Sequence, residues 1–148
     1  MTHLRAAIVI IFAFITSACV AGEHKDTPEE FWEVFQQSVA EDDIEKLASL
    51  THFPFKTRGV HDSMPVETYD KEAFLETFPL ILQTKVPRQQ QEGSISLREF
   101  ILEKESLTAS DFSSDDQLWI GDFKFDDTED GWGLSFIYWS EDQLDQGL

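Results

Sequence analysis

Two aromatic-rich runs, residues 118–125 (LWIGDFKF) and 132–139 (WGLSFIYW), constrain the fold of this 148-residue chain more than any other feature. Both are rich in residue types that favour strands, and the acidic segment 126–131 between them ends in Asp130-Gly131, a common hairpin turn sequence. A period of two divides the second run between two faces: Trp132, Leu134, Phe136 and Tyr138 on one, Ile137 and Trp139 on the other. Because both faces are apolar, we predict a β-hairpin that packs against helices on one side and meets something else on the other.

Helix signals open the region that precedes this hairpin. Thr27 suits the N-cap position, Pro28 the first helical position, and Glu30 completes a capping box. An amphipathic stripe then continues to about Ala40, with apolar side chains at helical spacing: Phe31, Trp32, Val34, Phe35 and Val39. Asp42 is predicted to cap a second, short helix.

The middle of the chain mixes strand and helix signals. Residues 55–58 alternate in polarity and predict a strand, and Asp70 suits the N-cap of a third helix. Pro79 lies inside that helix and predicts a kink or a split into two shorter helices. Residues 94–107 fit either a strand or a helix capped by Ser96, and we favour the helix. The whole pattern predicts the α+β class, with N-terminal helices packed on an antiparallel sheet.

Residues 1–18 have the layout of a secretory signal peptide. Arg5 supplies a positive charge, and residues 6–15 (AAIVIIFAFI) form an apolar run too short to span a membrane as a helix. Small residues then precede Cys19, the only cysteine, as in a bacterial lipobox. We therefore predict lipidation at Cys19, which anchors the chain to a membrane without spanning it. Secretion without a lipid is the alternative.

The chain is accordingly divided into four parts. We predict a signal peptide at 1–18, a flexible tether at 19–26, a single globular domain at 27–140 and a frayed acidic tail at 141–148. The expected location is the periplasmic face of a bacterial membrane, or the periplasm or exterior if Cys19 is not lipidated.

Charge and cysteine content exclude several function classes. The chain has 29 acidic residues against 11 Lys and Arg, and without Arg5 the part from Cys19 onward keeps ten of these, for a formal net charge of −19. Nucleic-acid binding is excluded because it needs a basic stripe, and adhesion to anionic head groups is excluded for the same reason. Contact with a membrane is therefore expected only through the lipid anchor. One cysteine also excludes an intramolecular disulfide and a zinc site built from paired cysteines.

Two segments resemble the nuclear transport factor 2-like superfamily. Residues 31–50 (FW-x3-Q-x3-A-x-D-x4-L-x2-L) are similar to its opening helix pair, and residues 131–138 (GWGLSFIY) are similar to its final strand. The resemblance covers about 28–139, extends to small bacterial envelope proteins, and implies a strongly curved, cone-like sheet around a pocket. Some members bind small apolar ligands, a few catalyse isomerisation or dehydration with pocket acids, and many dimerise through the sheet. Residues 83–117 carry less strand pattern than that sheet needs, so a reduced sheet or another helix-plus-sheet fold stays open.

No motif of a known catalytic type is present in the sequence. An enzyme of the cone type needs an acid or a histidine held in an apolar pocket, where burial tunes its pKa. The acid–base candidates are Asp122, which apolar residues flank, and His52 and Tyr69. Three further polar residues have ordinary explanations as loop or cap residues: His61, Asp62 and Asp70.

The candidate ligand-binding residues are aromatic or cationic: Trp32, Arg58, Trp119 and Trp139. Each has a second explanation, since tryptophans at such spacing also build cores and an arginine also pairs with acids. Asp126-x-Thr128-x-Asp130 begins like a calcium loop, but Ile137 stands where the twelfth-position acid is required. We predict neither a metal site nor a cofactor.

The leading functional prediction is a non-enzymatic exported envelope protein that acts as a binding or interaction module. Its partner would be a small apolar ligand or a protein, including a second copy bound through the sheet face. Two alternatives are kept. One is an isomerase- or dehydratase-like enzyme with a pocket acid. The other is an acidic inhibitor or immunity protein that neutralises a basic, envelope-active protein by charge complementarity.

Overall fold

Helices and strands follow one another in a mixed order along the chain. The computed structural model describes residues 26–61, 63–88 and 92–145. The helices of this part are α1 (Pro28–Ala40), α2 (Ile44–Ser49), α3 (Lys71–Gln83), α4 (Leu97–Glu103) and α5 (Asp142–Asp145). The strands are β1 (Thr51–Arg58), β2 (Glu67–Tyr69), β3 (Lys85–Pro87), β4 (Ser94–Ser96), β5 (Phe112–Ser114), β6 (Gln117–Ile120), β7 (Phe123–Thr128) and β8 (Gly131–Tyr138).

The strands form one large sheet and one small one. The large sheet has the order β2-β1-β8-β7-β6-β5, and β3 pairs with β4 separately. Register shifts between β1 and β8, between β5 and β6, and between β7 and β8 bend the large sheet. The predicted α+β class, with N-terminal helices on a curved sheet that ends in an aromatic-rich hairpin, is confirmed. The sheet is mixed rather than wholly antiparallel, because β1 runs parallel to β8.

The helix starts follow the capping signals closely. The Thr27 hydroxyl accepts from the Glu30 backbone N–H (3.2 Å), and the Glu30 carboxylate accepts from the Thr27 backbone N–H (2.9 Å), which is the predicted capping box. The cap of α2 is Asp43 rather than Asp42, because the Asp43 carboxylate accepts from the Lys46 N–H at 2.9 Å. Asp42 instead turns the chain with a φ of 56°, a conformation that Asp tolerates better than most residues.

Two predictions for the middle of the chain needed correction. Helix α3 continues through Pro79 as a single element, so the predicted split into two helices is wrong, while the alternative of a kink stays a prediction. It buries Phe78 and Ile81 on either side of the proline, so packing outweighs the lost hydrogen bond. Residues 94–107 contain both alternatives, since strand β4 leads directly into α4, which Ser96 caps as predicted.

The run 118–125 is two strands, not the single strand predicted. Gly121 adopts a φ of 58°, and Gly121 and Asp122 turn the chain between β6 and β7. A Cβ atom on Gly121 would meet the ring of Phe100 at 2.6 Å, so this turn needs glycine for both its conformation and its space. Asp122 therefore lies on a turn, where the sequence placed it on a strand.

A bulge in β8 changes which side chains share a face. Phe125 pairs with Leu134 and Lys124 pairs with Phe136, so Ser135 is the extra residue. The predicted common face is therefore wrong: Leu134 points into the core, whereas Phe136 and Tyr138, beyond the bulge, point to the opposite side. One extra residue reverses the alternation of a strand.

The core lies between the helices and one face of the large sheet. Its largest fully buried side chains come from both layers: Trp32, Phe35, Phe74, Phe78, Phe55, Phe123, Phe125 and Trp139. Within the frayed tail predicted at 141–148, residues 142–145 form α5, because Leu144 packs against this core.

Several predictions fall on residues outside the described part of the chain. These are the signal peptide at 1–18, Cys19 with nearly all of the tether, Asp62 and residues 146–148. Among the residues that are described, no helix is long and apolar enough to cross a membrane.

Candidate ligand-binding site on the outer sheet face

The large sheet turns one face to the core and the other, here called the outer face, away from the helices. A cavity of about 480 Å³ lies on the outer face. Its polar and aromatic lining comes from four adjacent strands: His52, Phe53, Lys56, Arg58, Trp119, Lys124, Asp126, Ser135, Phe136 and Tyr138. This volume falls in the range of small-molecule sites, about 300–1,000 Å³.

Three aromatic side chains on β6 and β8 form a cluster on the outer face, and Phe53, Pro54 and Val66 supply further apolar lining of the cavity. The ring of Trp119 stacks on Tyr138 with centroids 5.7 Å apart, and Phe136 contacts Tyr138 edge-on at 4.9 Å. Trp119 donates its indole N–H to the Gln117 side chain at 3.2 Å, which fixes the orientation of the ring. These partly exposed rings are therefore held in place before any ligand arrives.

Cations border these rings. The guanidinium of Arg58 lies 5.5 Å from the ring centre of Tyr138 and donates to its hydroxyl at 3.3 Å. Lys56 is exposed and points to the same face, because the core takes the side chains of its neighbours Phe55 and Thr57. The lining thus holds three basic residues, Lys124 being the third, against one acid, Asp126, in a chain whose net charge is −18.

Asp126 is engaged by neighbouring side chains rather than open to a ligand. Its carboxylate accepts from Ser135, from Lys124 (3.1 Å) and from Gln117 (3.0 Å). Burial works to raise the pKa of Asp126, but these three donors together hold it below its usual value. Asp126 therefore holds the side chains of Gln117, Lys124 and Ser135 in place on the outer face, and its negative charge compensates that of Lys124.

His52 lies on the outer face at the start of β1. Its Nε2 atom is 3.1 Å from the carbonyl oxygen of Asp126. A Cβ atom on Gly133 would meet the imidazole at 2.7 Å, so only glycine allows this ring to lie against β8. His52 is therefore part of the cavity wall.

A second cavity, here called the turn cavity, lies at the turn between β6 and β7. It has a volume of about 520 Å³ and is lined by Val60, Val86, Pro87, Arg88, Ile95, Leu97, Phe100, Glu103, Gly121, Asp122 and Gln143. Arg88 and Glu103 pair within this lining at 2.9 Å. Burial raises the pKa of the Asp122 carboxyl.

The structure keeps the three acid–base candidates apart. Asp122 lines the turn cavity, His52 lines the outer face, and Tyr69 lies on the edge strand β2. The Tyr69 hydroxyl donates to Glu67 at 2.7 Å, and burial together with this bond raises the pKa of Tyr69 to about 12. No two of the three line the same cavity.

The ligand-binding candidates separate into two pairs. Arg58 and Trp119 both line the cavity on the outer face, whereas Trp32 and Trp139 are buried in the core. Trp139 donates its indole N–H to the Thr84 hydroxyl at 2.9 Å, which gives that side chain a structural role. Of the remaining polar residues, His61 is exposed, and Asp70 caps α3 by accepting from the Ala73 N–H at 2.9 Å.

Sequence reasoning missed the other members of the outer face, above all Lys56, Phe136 and Tyr138. The alternation along β1 is a signal that places Lys56 beside Arg58. The two aromatic residues carry no such signal, because the bulge at Ser135 that turns them outward leaves no recognisable mark in the sequence.

Within the described residues, no group of three or more His, Cys, Asp or Glu side chains is placed to hold a metal ion. Comparisons of the chain with protein-family models, with curated proteins and with solved structures found no match.

Proposed function

We propose that this protein is a non-enzymatic binding module whose outer face takes a small ligand with an anionic group and an aromatic or apolar body. The observation that carries the proposal is the cationic and aromatic cavity on the outer face of a strongly acidic chain. Exposed aromatic rings offer apolar contact, and Lys56 and Arg58 offer charge-assisted hydrogen bonds to an anion.

The dimensions of the site support a small molecule. Adjacent strands lie about 4.8 Å apart, so the cations of β1 are within roughly 15 Å of Trp119 on β6. A compound with one or two rings and a carboxylate or sulfonate fits this span. A second copy docked face to face would bring Lys56 and Arg58 of both chains together, so like charges disfavour a homodimer through this face.

The proposed setting is the bacterial envelope. The apolar run 6–15 followed by Cys19 supports export and lipidation, which would place the outer face in the periplasm. We further propose membership of the nuclear transport factor 2-like superfamily, supported by the helix pair α1–α2 ahead of a curved sheet that ends in the β7–β8 hairpin.

The experiment uses two fluorescent probes that differ mainly in charge. 1-Anilinonaphthalene-8-sulfonate is an aromatic anion, and N-phenyl-1-naphthylamine has the same rings without the sulfonate. We expect the purified protein to bind the anion more tightly, and the double variant Lys56→Gln/Arg58→Gln to lose roughly ten-fold in affinity for the anion only.

Lys46→Gln is the matched control, because Lys46 is exposed on α2, away from the lining of this cavity. It should leave both affinities unchanged. Equal affinity for the two probes, or an anion affinity that the double variant keeps, would count against the proposal. Probe-independent self-association that Lys56→Gln/Arg58→Gln alters would point to a homodimer instead.

The two alternatives have weaker support. The isomerase- or dehydratase-like enzyme rests on Asp122 alone, since His52 and Tyr69 lie on other surfaces. The acidic inhibitor or immunity protein rests on the net charge, and the measurement that favours it is salt-sensitive capture of a basic envelope protein.

A further inference from the structure

The turn cavity carries a site that is independent of the outer face. Apolar residues supply most of its lining: Val60, Val86, Pro87, Ile95, Leu97 and Phe100. They come from the segment just after β1, from the β3–β4 pair and from α4, and the Gly121–Asp122 turn completes the lining. Gly121 lies so close to the Phe100 ring of α4 that an added Cβ atom would be 2.6 Å from it.

The polar groups of the turn cavity leave one charge uncompensated. Arg88 and Glu103 form an ion pair at 2.9 Å, which balances these two charges against each other. The Asp122 carboxylate is partly buried, and among the described residues its side chain has no hydrogen bond or ion pair; desolvation is what raises its pKa. Its backbone carbonyl is already used, since it accepts from the Tyr138 N–H at 3.0 Å.

A carboxylate in an apolar cavity is costly unless a cation or a strong donor meets it. The net charge of the lining is that of Asp122 alone, so a monovalent cation restores neutrality. The volume of about 520 Å³ leaves room for an apolar body beside that cation.

We propose that the turn cavity binds a small amphipathic amine, with its ammonium group on the Asp122 carboxylate and its apolar part against Phe100 and the β3–β4 pair. The chemistry is opposite to that of the outer face, where the charge selects an anion. The two sites therefore discriminate between ligands of opposite charge.

The test compares three probes of one size: 2-phenylethylamine, 2-phenylethanol and phenylacetate. Each is titrated into the ¹⁵N-labelled protein at neutral pH, with the amide signals of Gly121, Asp122 and Phe123 as the readout. We expect saturable shifts of these signals with the amine, weaker shifts with the alcohol, and none with phenylacetate.

The variant Asp122→Asn should weaken amine binding about ten-fold or more and bring it to the level of the alcohol. Asp122→Ser removes the same charge and gives a second measurement if the first variant folds poorly. Asp115→Asn is the matched control, because it removes one aspartate charge from an exposed turn between β5 and β6 and should change nothing.

Two results would overturn the proposal: amine binding that Asp122→Asn and Asp122→Ser leave intact, or phenylacetate moving the same amide signals as strongly as the amine. The double variant Lys56→Gln/Arg58→Gln should bind the amine normally. Because Lys56 and Arg58 line the outer face, amine binding by this variant shows whether the turn cavity binds independently of the outer face.

Discussion

At the scale of single residues, Asp122 and Asp126 show how differently one side chain can be used within a single hairpin. Asp126 receives three side-chain donors, and its pKa is lowered despite burial. Asp122 receives none among the described residues, and desolvation raises its pKa. The ionised Asp126 carboxylate stabilises the folded state, whereas the ionised Asp122 carboxylate destabilises it because it is partly desolvated.

Asp122→Asn should therefore raise the free energy of unfolding at neutral pH. The folded-state pKa of Asp122 lies above its unfolded value, so its favourable contribution is complete below that unfolded value and is lost as the pH rises through the folded pKa. The gain from Asn should shrink towards zero as the pH falls below about 3.9.

Urea denaturation of the variant and the wild type at several pH values measures this difference. The exposed-turn variant Asp115→Asn should show no such trend. A gain that is constant over the whole pH range would contradict the assignment of the effect to the ionised carboxylate.

At the scale of elements, the short helix α4 depends on a side chain from α1. Gln36 donates its amide Nε2 to the carbonyl oxygens of Ile101 (2.8 Å) and Lys104 (2.7 Å), at the C-terminal end of α4. The last carbonyls of a helix lack the usual partners within it, and here the Gln36 amide supplements the 3.4 Å bond from the Lys104 backbone N–H to the Ile101 carbonyl. The link joins α1 to the wall of the turn cavity.

Gln36→Met keeps the length of the side chain and removes its donor. We expect it to lower the free energy of unfolding by about 1–2 kcal/mol, because two partly buried carbonyls lose their shorter hydrogen bond and keep only longer ones, from the Lys104 N–H (3.4 Å) and the Trp32 indole (3.5 Å). Gln37→Met is the control, since Gln37 is exposed and its side-chain amide donates to Glu41, the residue that follows α1. Chemical denaturation compares the two, and equal effects would argue against a capping role.

The β6–β7 turn gives a second prediction at this scale. Gly121→Ala should destabilise the protein by about 2–4 kcal/mol, because alanine meets a positive φ and its Cβ meets the Phe100 ring at 2.6 Å. Gly131→Ala is the comparison, since Gly131 also has a positive φ (93°) but has nothing within 4 Å of an added Cβ. Thermal unfolding should show the larger loss at Gly121, and similar losses at both would remove the contact with Phe100 as the cause.

Local signals in the sequence predicted helices α1 to α4 and the β7–β8 hairpin, but they did not predict the short strands β2, β3 and β5 or the non-local geometry of the sheet. The capping boxes at Thr27 and Ser96 involve residues three apart, so they can be read directly from the sequence. The turn at Gly121 and the bulge at Ser135 depend on which strand pairs with which, and that pairing is set by packing across the whole sheet. The residues of the candidate sites were the hardest to predict, because one cavity lies beside the Gly121 turn and the other beside the Ser135 bulge.

At the scale of the whole molecule, the charge is unevenly distributed. Acidic residues dominate the chain, yet the cavity on the outer face holds more basic than acidic residues. A cationic site in a chain of negative net charge attracts anions only at short range, because charges further away than roughly 8–10 Å are screened at physiological ionic strength. We therefore expect the outer face to favour compact anions over extended polyanions.

The proposed anchor is tested on the whole molecule. In a bacterial host, the wild-type chain should sediment with the membrane fraction and require detergent for release, because acylation at Cys19 adds apolar chains. Cys19→Ser should be found in the soluble fraction or remain unprocessed. Ser17→Ala, which keeps a small residue before the cysteine, is the control and should behave as the wild type. A soluble, processed wild-type chain would leave simple secretion as the better account.

The parallel pairing of β1 with β8 also affects when the protein can fold. Arg58 and Tyr138 contact each other across this pair although 80 residues separate them in sequence. During synthesis from the N-terminus, α1, α2 and β1 are complete long before the strand that they need at the centre of the sheet. A chain that crosses a membrane through a narrow channel must stay unfolded until it has passed. For an exported protein, as proposed here, this topology postpones folding to the far side of that membrane.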